Sequence, residues 1–139
     1  MRYGRCLGAI VGVLLVSAVA LAAAPAQEKR QVATVDPDGV QRVAVLAGGY
    51  YFDPNVIVVK VNVPVELMVR KEAGVTPHDM VLKAPEAGIE IAQELSTEPR
   101  ALRFTPIKTG RYEFACSKKL LFFPSHKERG MHGVLEVVE

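Results

Sequence analysis

Seven short runs rich in β-branched residues follow one another from residue 40 to the C-terminus, at 43–46, 56–61, 65–69, 78–82, 101–105, 111–115 and 134–138. Most are bounded by Gly, Pro, Asp or Asn. Runs this short do not make helices of ordinary length, and many short strands broken by frequent turns build a sandwich or a barrel. Alternation within the runs gives the faces: Tyr112, Phe114 and Cys116 share one side of a strand and Arg111, Glu113 and Ala115 the other, which directs Cys116 toward the core. The one stretch with helical character is 85–95, kept short by Pro85, Gly88 and Pro99. The expectation is an all-β sandwich of about seven strands with one short helix and no internal repeat.

The first 26 residues are of a different kind. Arg2 and Arg5 form a positive start, residues 7–21 an apolar run, and Ala24 and Ala26 the small residues that a signal peptidase reads. Residues 1–26 are therefore expected to be a signal peptide that exports the chain to the periplasm. The uncharged stretch from Cys6 to Gln27 is also long enough for the ~30 Å hydrocarbon core of a bilayer, so an uncleaved anchor is the alternative. Cys6 precedes the apolar run and cannot be a lipid-accepting cysteine. Residues 27–39 are polar and contain the turn Asp36-Pro37-Asp38-Gly39, which marks them as a linker to a domain at 40–139.

Export changes the arithmetic of charge and thiols. Without Arg2 and Arg5 the Lys plus Arg count falls from 17 to 15, equal to the 15 Asp plus Glu. A neutral chain with no basic stripe has no electrostatic footprint for nucleic acid. No other segment is long enough to cross a membrane. Of the 2 cysteines only Cys116 remains, so no internal disulfide can form, and a lone thiol in an oxidising compartment must be protected or used.

Four side chains could use it together: His78, Cys116, His126 and Met131. Two imidazoles, a thiolate and a thioether are the donors of a mononuclear electron-transfer copper site, with His₂Cys in a plane and a weak axial Met. Zinc could be held by the two His and the Cys with a fourth position open, but the soft thioether of Met131 favours copper. A binuclear copper centre would need two bridging thiolates, and the exported chain has one. His132, beside Met131, reads as a surface residue.

From Val43 to the C-terminus, the order and surroundings of these residues resemble the cupredoxin family, particularly small periplasmic blue-copper-like domains. The matching motifs are Tyr51-Phe52-Asp53-Pro54-Asn55 ahead of the Val56-Ile57-Val58-Val59 strand, Pro77-His78-Asp79, Thr109-Gly110-Arg111-Tyr112-Glu113-Phe114-Ala115-Cys116, and His126-Lys127-Glu128-Arg129-Gly130-Met131-His132-Gly133. The resemblance implies a Greek-key β-sandwich with one copper ion, Cu(I) or Cu(II), at one pole, held by His78, Cys116, His126 and Met131. Two departures stand out. Nine residues separate Cys116 from His126, more than in common small cupredoxins; lengthening a loop adds only about 0.6 kcal/mol of closure entropy per doubling. Asp79 stands where many family members carry the Asn that ties the His loop to the Cys loop. The long loop is similar to that of the electron-transfer domain of copper nitrite reductases, but the separate three-His copper of those enzymes has no counterpart, since only His132 is left.

The expected function is that of a periplasmic single-electron carrier, a monomer and not an enzyme. The alternative is a copper-binding or copper-delivery protein that does not cycle electrons. Leu120, Leu121, Phe122 and Phe123 are either core or, if exposed, a docking face for a redox partner. Lys118, Lys119, Lys127 and Arg129 against Glu128 give this loop a local charge of +3, which expects an acidic partner surface.

Overall fold

A computed structural model describes residues 27–139. The expected signal peptide, residues 1–26, lies outside the described residues. Eleven strands follow in chain order: β1 Arg30–Val32, β2 Thr34–Val35, β3 Gln41–Gly48, β4 Tyr51–Asp53, β5 Val56–Lys60, β6 Val65–Lys71, β7 Asp79–Ala84, β8 Ile89–Glu94, β9 Arg100–Phe104, β10 Gly110–Ala115 and β11 His132–Val138. One sheet has the order β1-β5-β11-β10-β7-β8; the other has β2-β3-β6-β9, with β4 on β3. The chain changes sheets repeatedly, as a Greek-key sandwich requires. Parallel pairs β3·β6 and β5·β11 arise from these crossings, while β10·β11 and β7·β8 are antiparallel.

The two inner faces form the core. Phe52 and Phe114 meet there edge to face, ring centroids 5.3 Å apart, beside Ile57, Leu67, Leu82 and Leu135. Burying a pair of this size contributes several kcal/mol. Residues 56–59 are all buried because β5 is a central strand with β1 and β11 on its two edges. Gly133 keeps β11 close to this cluster: a Cβ there would lie 2.3 Å from Phe114 Cζ and 2.5 Å from the Asn55 carbonyl oxygen.

All seven expected runs are strands, and four further strands correct the sequence reading. The segment expected as helix is a single 3₁₀ turn, Pro85–Ala87, ended by Gly88 in the left-handed conformation at φ 71°, and then β8. Ile89 and Ile91 are buried while Glu90 and Ala92 are exposed, a two-residue period that packing selects over the helical propensity of Glu, Ala and Gln. The segment expected as linker is part of the sandwich: β1 pairs parallel with β5, and β2 pairs antiparallel with β3. Their side chains are exposed, so hydrophobic periodicity carries no trace of them; backbone pairing alone makes them strands. β4 is a third short addition.

Candidate metal centre

Two loops at one pole of the sandwich, the β6–β7 loop and the long β10–β11 loop, bring three of the four expected ligands together: His78, Cys116 and His126. His78 immediately precedes β7, and its carbonyl accepts a hydrogen bond from Leu95 N–H at 2.9 Å, which fixes the loop to the end of β8. Cys116 immediately follows β10 and donates its N–H to the Met131 carbonyl at 3.0 Å. His126 donates its N–H to the Lys118 carbonyl at 2.9 Å, and its own carbonyl accepts from Met131 N–H at 3.0 Å. The long loop is thus pinned at both ends beside the thiol.

His126 sits in a turn with a local cause. Ser125 and Glu128 form a reciprocal cap: the carboxylate accepts from Ser125 N–H at 2.6 Å and from its hydroxyl at 2.7 Å, while Glu128 N–H donates to the Ser125 hydroxyl at 3.2 Å. Ser-x-x-Glu is the sequence signature of this arrangement.

His78, Cys116 and His126 are all buried, and one donor atom from each lies within 4.8 Å of the others. His126 Nδ1 is 3.4 Å and His78 Nδ1 is 4.0 Å from Cys116 Sγ. Metal–nitrogen and metal–thiolate bonds of about 2.0 and 2.3 Å span up to about 4.3 Å between donors, so both separations admit one ion between ring nitrogen and sulfur. Burial lowers the pKa of His78, assisted by nearby His126 and Lys71, and burial followed by the Arg129 charge lowers that of His126. Both rings are therefore held in the neutral form that binds metal. Burial pushes the Cys116 thiol up, partly offset by the N–H groups of Asp79 and Lys118. A metal ion must displace that proton to gain the thiolate.

The departure at position 79 leaves the tie between loops in place. Asp79 Oδ1 accepts from Ser117 N–H at 2.6 Å and Oδ2 from the Ser117 hydroxyl. Asp79 N–H donates to Cys116 Sγ at 3.5 Å. Met131 is fully buried, and its backbone bonds to both Cys116 and His126, which seats it next to the group. His132 is exposed, on the opposite face of β11 from the core. Tyr112 is half-buried, its hydroxyl donating to the carbonyls of Lys108 and Thr109 at 3.1 and 3.2 Å. Sequence reasoning missed Ser117 and Tyr50; a hydroxyl after the Cys and an aromatic after Gly-Gly carry no pattern that singles them out.

Leu120, Leu121, Phe122 and Phe123 are 63%, 75%, 84% and 45% exposed. They are surface, not core. A cavity of about 450 Å³ opens between this loop and the loop before His78, lined by His126, Pro77, Val75, Leu120, Phe123 and Arg129 among others. The loop's charge is partly answered by its neighbours: Lys118 pairs with Glu94, and Lys127 with Glu113. No helix among the described residues is long and apolar enough to cross a membrane.

No protein-family model matches the chain, and no curated protein sequence matches it. Solved structures do. The chain is similar to the metal-binding domain of the Cu(I)-exporting P-type ATPase CopA of Streptococcus pneumoniae, determined with Cu(I), at TM-score 0.62 and 20% identity over 82% of this chain and 100% of that one. It is also similar to dithionite-reduced auracyanin of Roseiflexus castenholzii, at TM-score 0.55 and 17% identity over 70% of this chain and 97% of that one. A copper-containing nitrite reductase of Thermus scotoductus matches at TM-score 0.53 and 22% identity over 79% of this chain but 28% of the enzyme. These similarities establish the fold, the one expected from the motifs.

Proposed function

We propose that this domain of cupredoxin-like fold is a mononuclear copper protein that carries single electrons between redox partners in the periplasm. The observation that carries the reading is the buried group His78, Cys116 and His126, with both Nδ1 atoms turned toward one sulfur. Met131 would supply a thioether. Copper bound there provides a one-electron couple, and the mixed hard and soft donors accept both of its charge states. The protein's part is to fix the donors. Backbone bonds pin both loops, and Asp79 locks Ser117 beside the thiol, so the ligands would need little rearrangement when charge changes.

Electrons would leave at the face around the cavity that reaches His126. Its apolar residues Leu120, Leu121, Phe122 and Phe123 supply the contact. Lys119 and Arg129, the loop cations without a carboxylate partner among the described residues, favour an acidic surface. Steering by these charges weakens with salt.

A second reading, copper delivery, is favoured by one finding: the similar CopA domain was determined with Cu(I) and belongs to a Cu(I) exporter. The exported protein loaded with Cu(II) separates the two. A carrier is expected to show an intense visible thiolate-to-copper absorption that bleaches with reductant and returns with oxidant. A protein that stays colourless and retains only Cu(I) would overturn the carrier and leave delivery.

A further inference from the structure

Tyr50 has a backbone conformation that few bulky residues adopt. Its φ of 68° lies in the left-handed region, which a side chain of this size keeps only where the surroundings hold it, commonly near functional sites. The surroundings here are the metal centre. Its ring stands edge-on to His126, centroids 5.0 Å apart and planes at 79°, and the Arg129 guanidinium lies 4.7 Å over its face. Arg129 and His126 belong to one turn, closed by the Arg129 N–H to the carbonyls of Ser125 and His126 at 3.1 and 3.2 Å. The ring therefore lies between a metal-ligand candidate and the cation three residues beyond it, in cation–π contact with the latter.

The ring also divides space. With Thr76, it lines both the cavity of about 450 Å³ that reaches His126 and a smaller one of about 120 Å³ that reaches His78. The two imidazoles are in contact behind it, centroids 5.0 Å apart, and Cys116 is 0% exposed. The ring thus stands, with Thr76, where the two cavities meet.

We propose that Tyr50 is a positioning residue for His126 and the gate of the metal centre on the side of the two histidines: held by Arg129 it closes that side, and metal enters or leaves there when the ring swings out. This rests on the copper reading for its cargo but not for its geometry. Every contact described is made by the ring, so Tyr50→Phe keeps the gate, Tyr50→Ala removes it, and Arg129→Gln loosens it.

Cys116 is the only cysteine among the described residues, so alkylation of the metal-free exported protein by N-ethylmaleimide reads the opening directly. Transfer of Cu(I) from the loaded protein to bicinchoninate reads it again. Tyr50→Ala is expected to speed both about tenfold or more, as for a local opening made easier. Tyr50→Phe should match the unmodified protein, and Arg129→Gln should fall between. Positioning is read separately: Tyr50→Ala should alter the Cu(II) EPR signal, and Tyr50→Phe should restore it. If Tyr50→Ala unfolds in a thermal melt, Arg129→Gln, whose side chain is exposed, carries the test. Faster alkylation in variants of a protein that binds no copper would support the gate and overturn the copper reading. Unchanged alkylation in folded Tyr50→Ala, or in Arg129→Gln where that variant carries the test, would overturn the gate whether or not copper binds.

Discussion

Asp79 ties the His78 loop to the start of the Cys116 loop. It is buried, and its two carboxylate oxygens are both used on Ser117 while its own N–H reaches the Cys116 sulfur. Asp79→Ala takes the charged acceptor from two part-buried donors of Ser117, which is itself exposed and can turn to water, so the loss is expected to be about 1 kcal/mol. Asp79→Asn can still accept from Ser117 N–H and donate to its hydroxyl. Chemical denaturation should therefore show a clear drop in midpoint for Ala and a small one for Asn; equal midpoints for Ala and the parent chain would show that this tie contributes nothing. The buried group His78, Cys116 and His126 was legible in the sequence because these residue types are chemically distinctive and occur in a specific order, with Met131 the expected fourth. Asp79 was visible as a substitution for Asn, but not its partner, because a single serine has no spacing to betray it.

Elements were legible where one face is buried and invisible where neither is. β3, β5, β6 and β11 carry dense β-branched runs, whereas β1 and β2 expose their side chains and appear only through backbone pairing. β8 fails for the opposite reason: its residues favour a helix singly, and the alternation of Ile89 and Ile91 wins only against the core. The turn between β2 and β3 is an electrostatic element. Arg42 bonds Asp36, Asp38 and Glu66, and the Arg42 guanidinium, followed by the Val40 N–H, holds Asp38 down from 3.8 to about 2. A carboxylate depressed in the folded state stabilises above its unfolded pKa, and that contribution disappears as pH falls through its folded one. Stability from this turn is present above about pH 4 and lost toward pH 2. Asp38→Asn should flatten melting temperature against pH across that interval. The exposed setting keeps the effect small, and an unchanged slope would contradict the assignment.

At the scale of the molecule, residues 27–39 decide how the sandwich closes. β1 covers one edge of β5, whose other edge is taken by β11, and Arg30 and Arg111 both pair with buried Glu136 on β11. A chain starting at Val40 would open the β5 edge and leave Glu136 with one arginine. It should melt lower and self-associate more than a chain starting at Gln27, since an open strand edge invites pairing; identical melting would restore the linker reading. The two loops that carry His78, Cys116 and His126 converge at one pole, where one ion is expected to bind. X-ray absorption at the copper edge of the copper-loaded chain starting at Gln27 addresses this directly. One short copper–sulfur bond with two copper–nitrogen bonds, the sulfur bond lost in Cys116→Ser, is the expected result. A shell of nitrogen and oxygen alone, unchanged in Cys116→Ser, would contradict it.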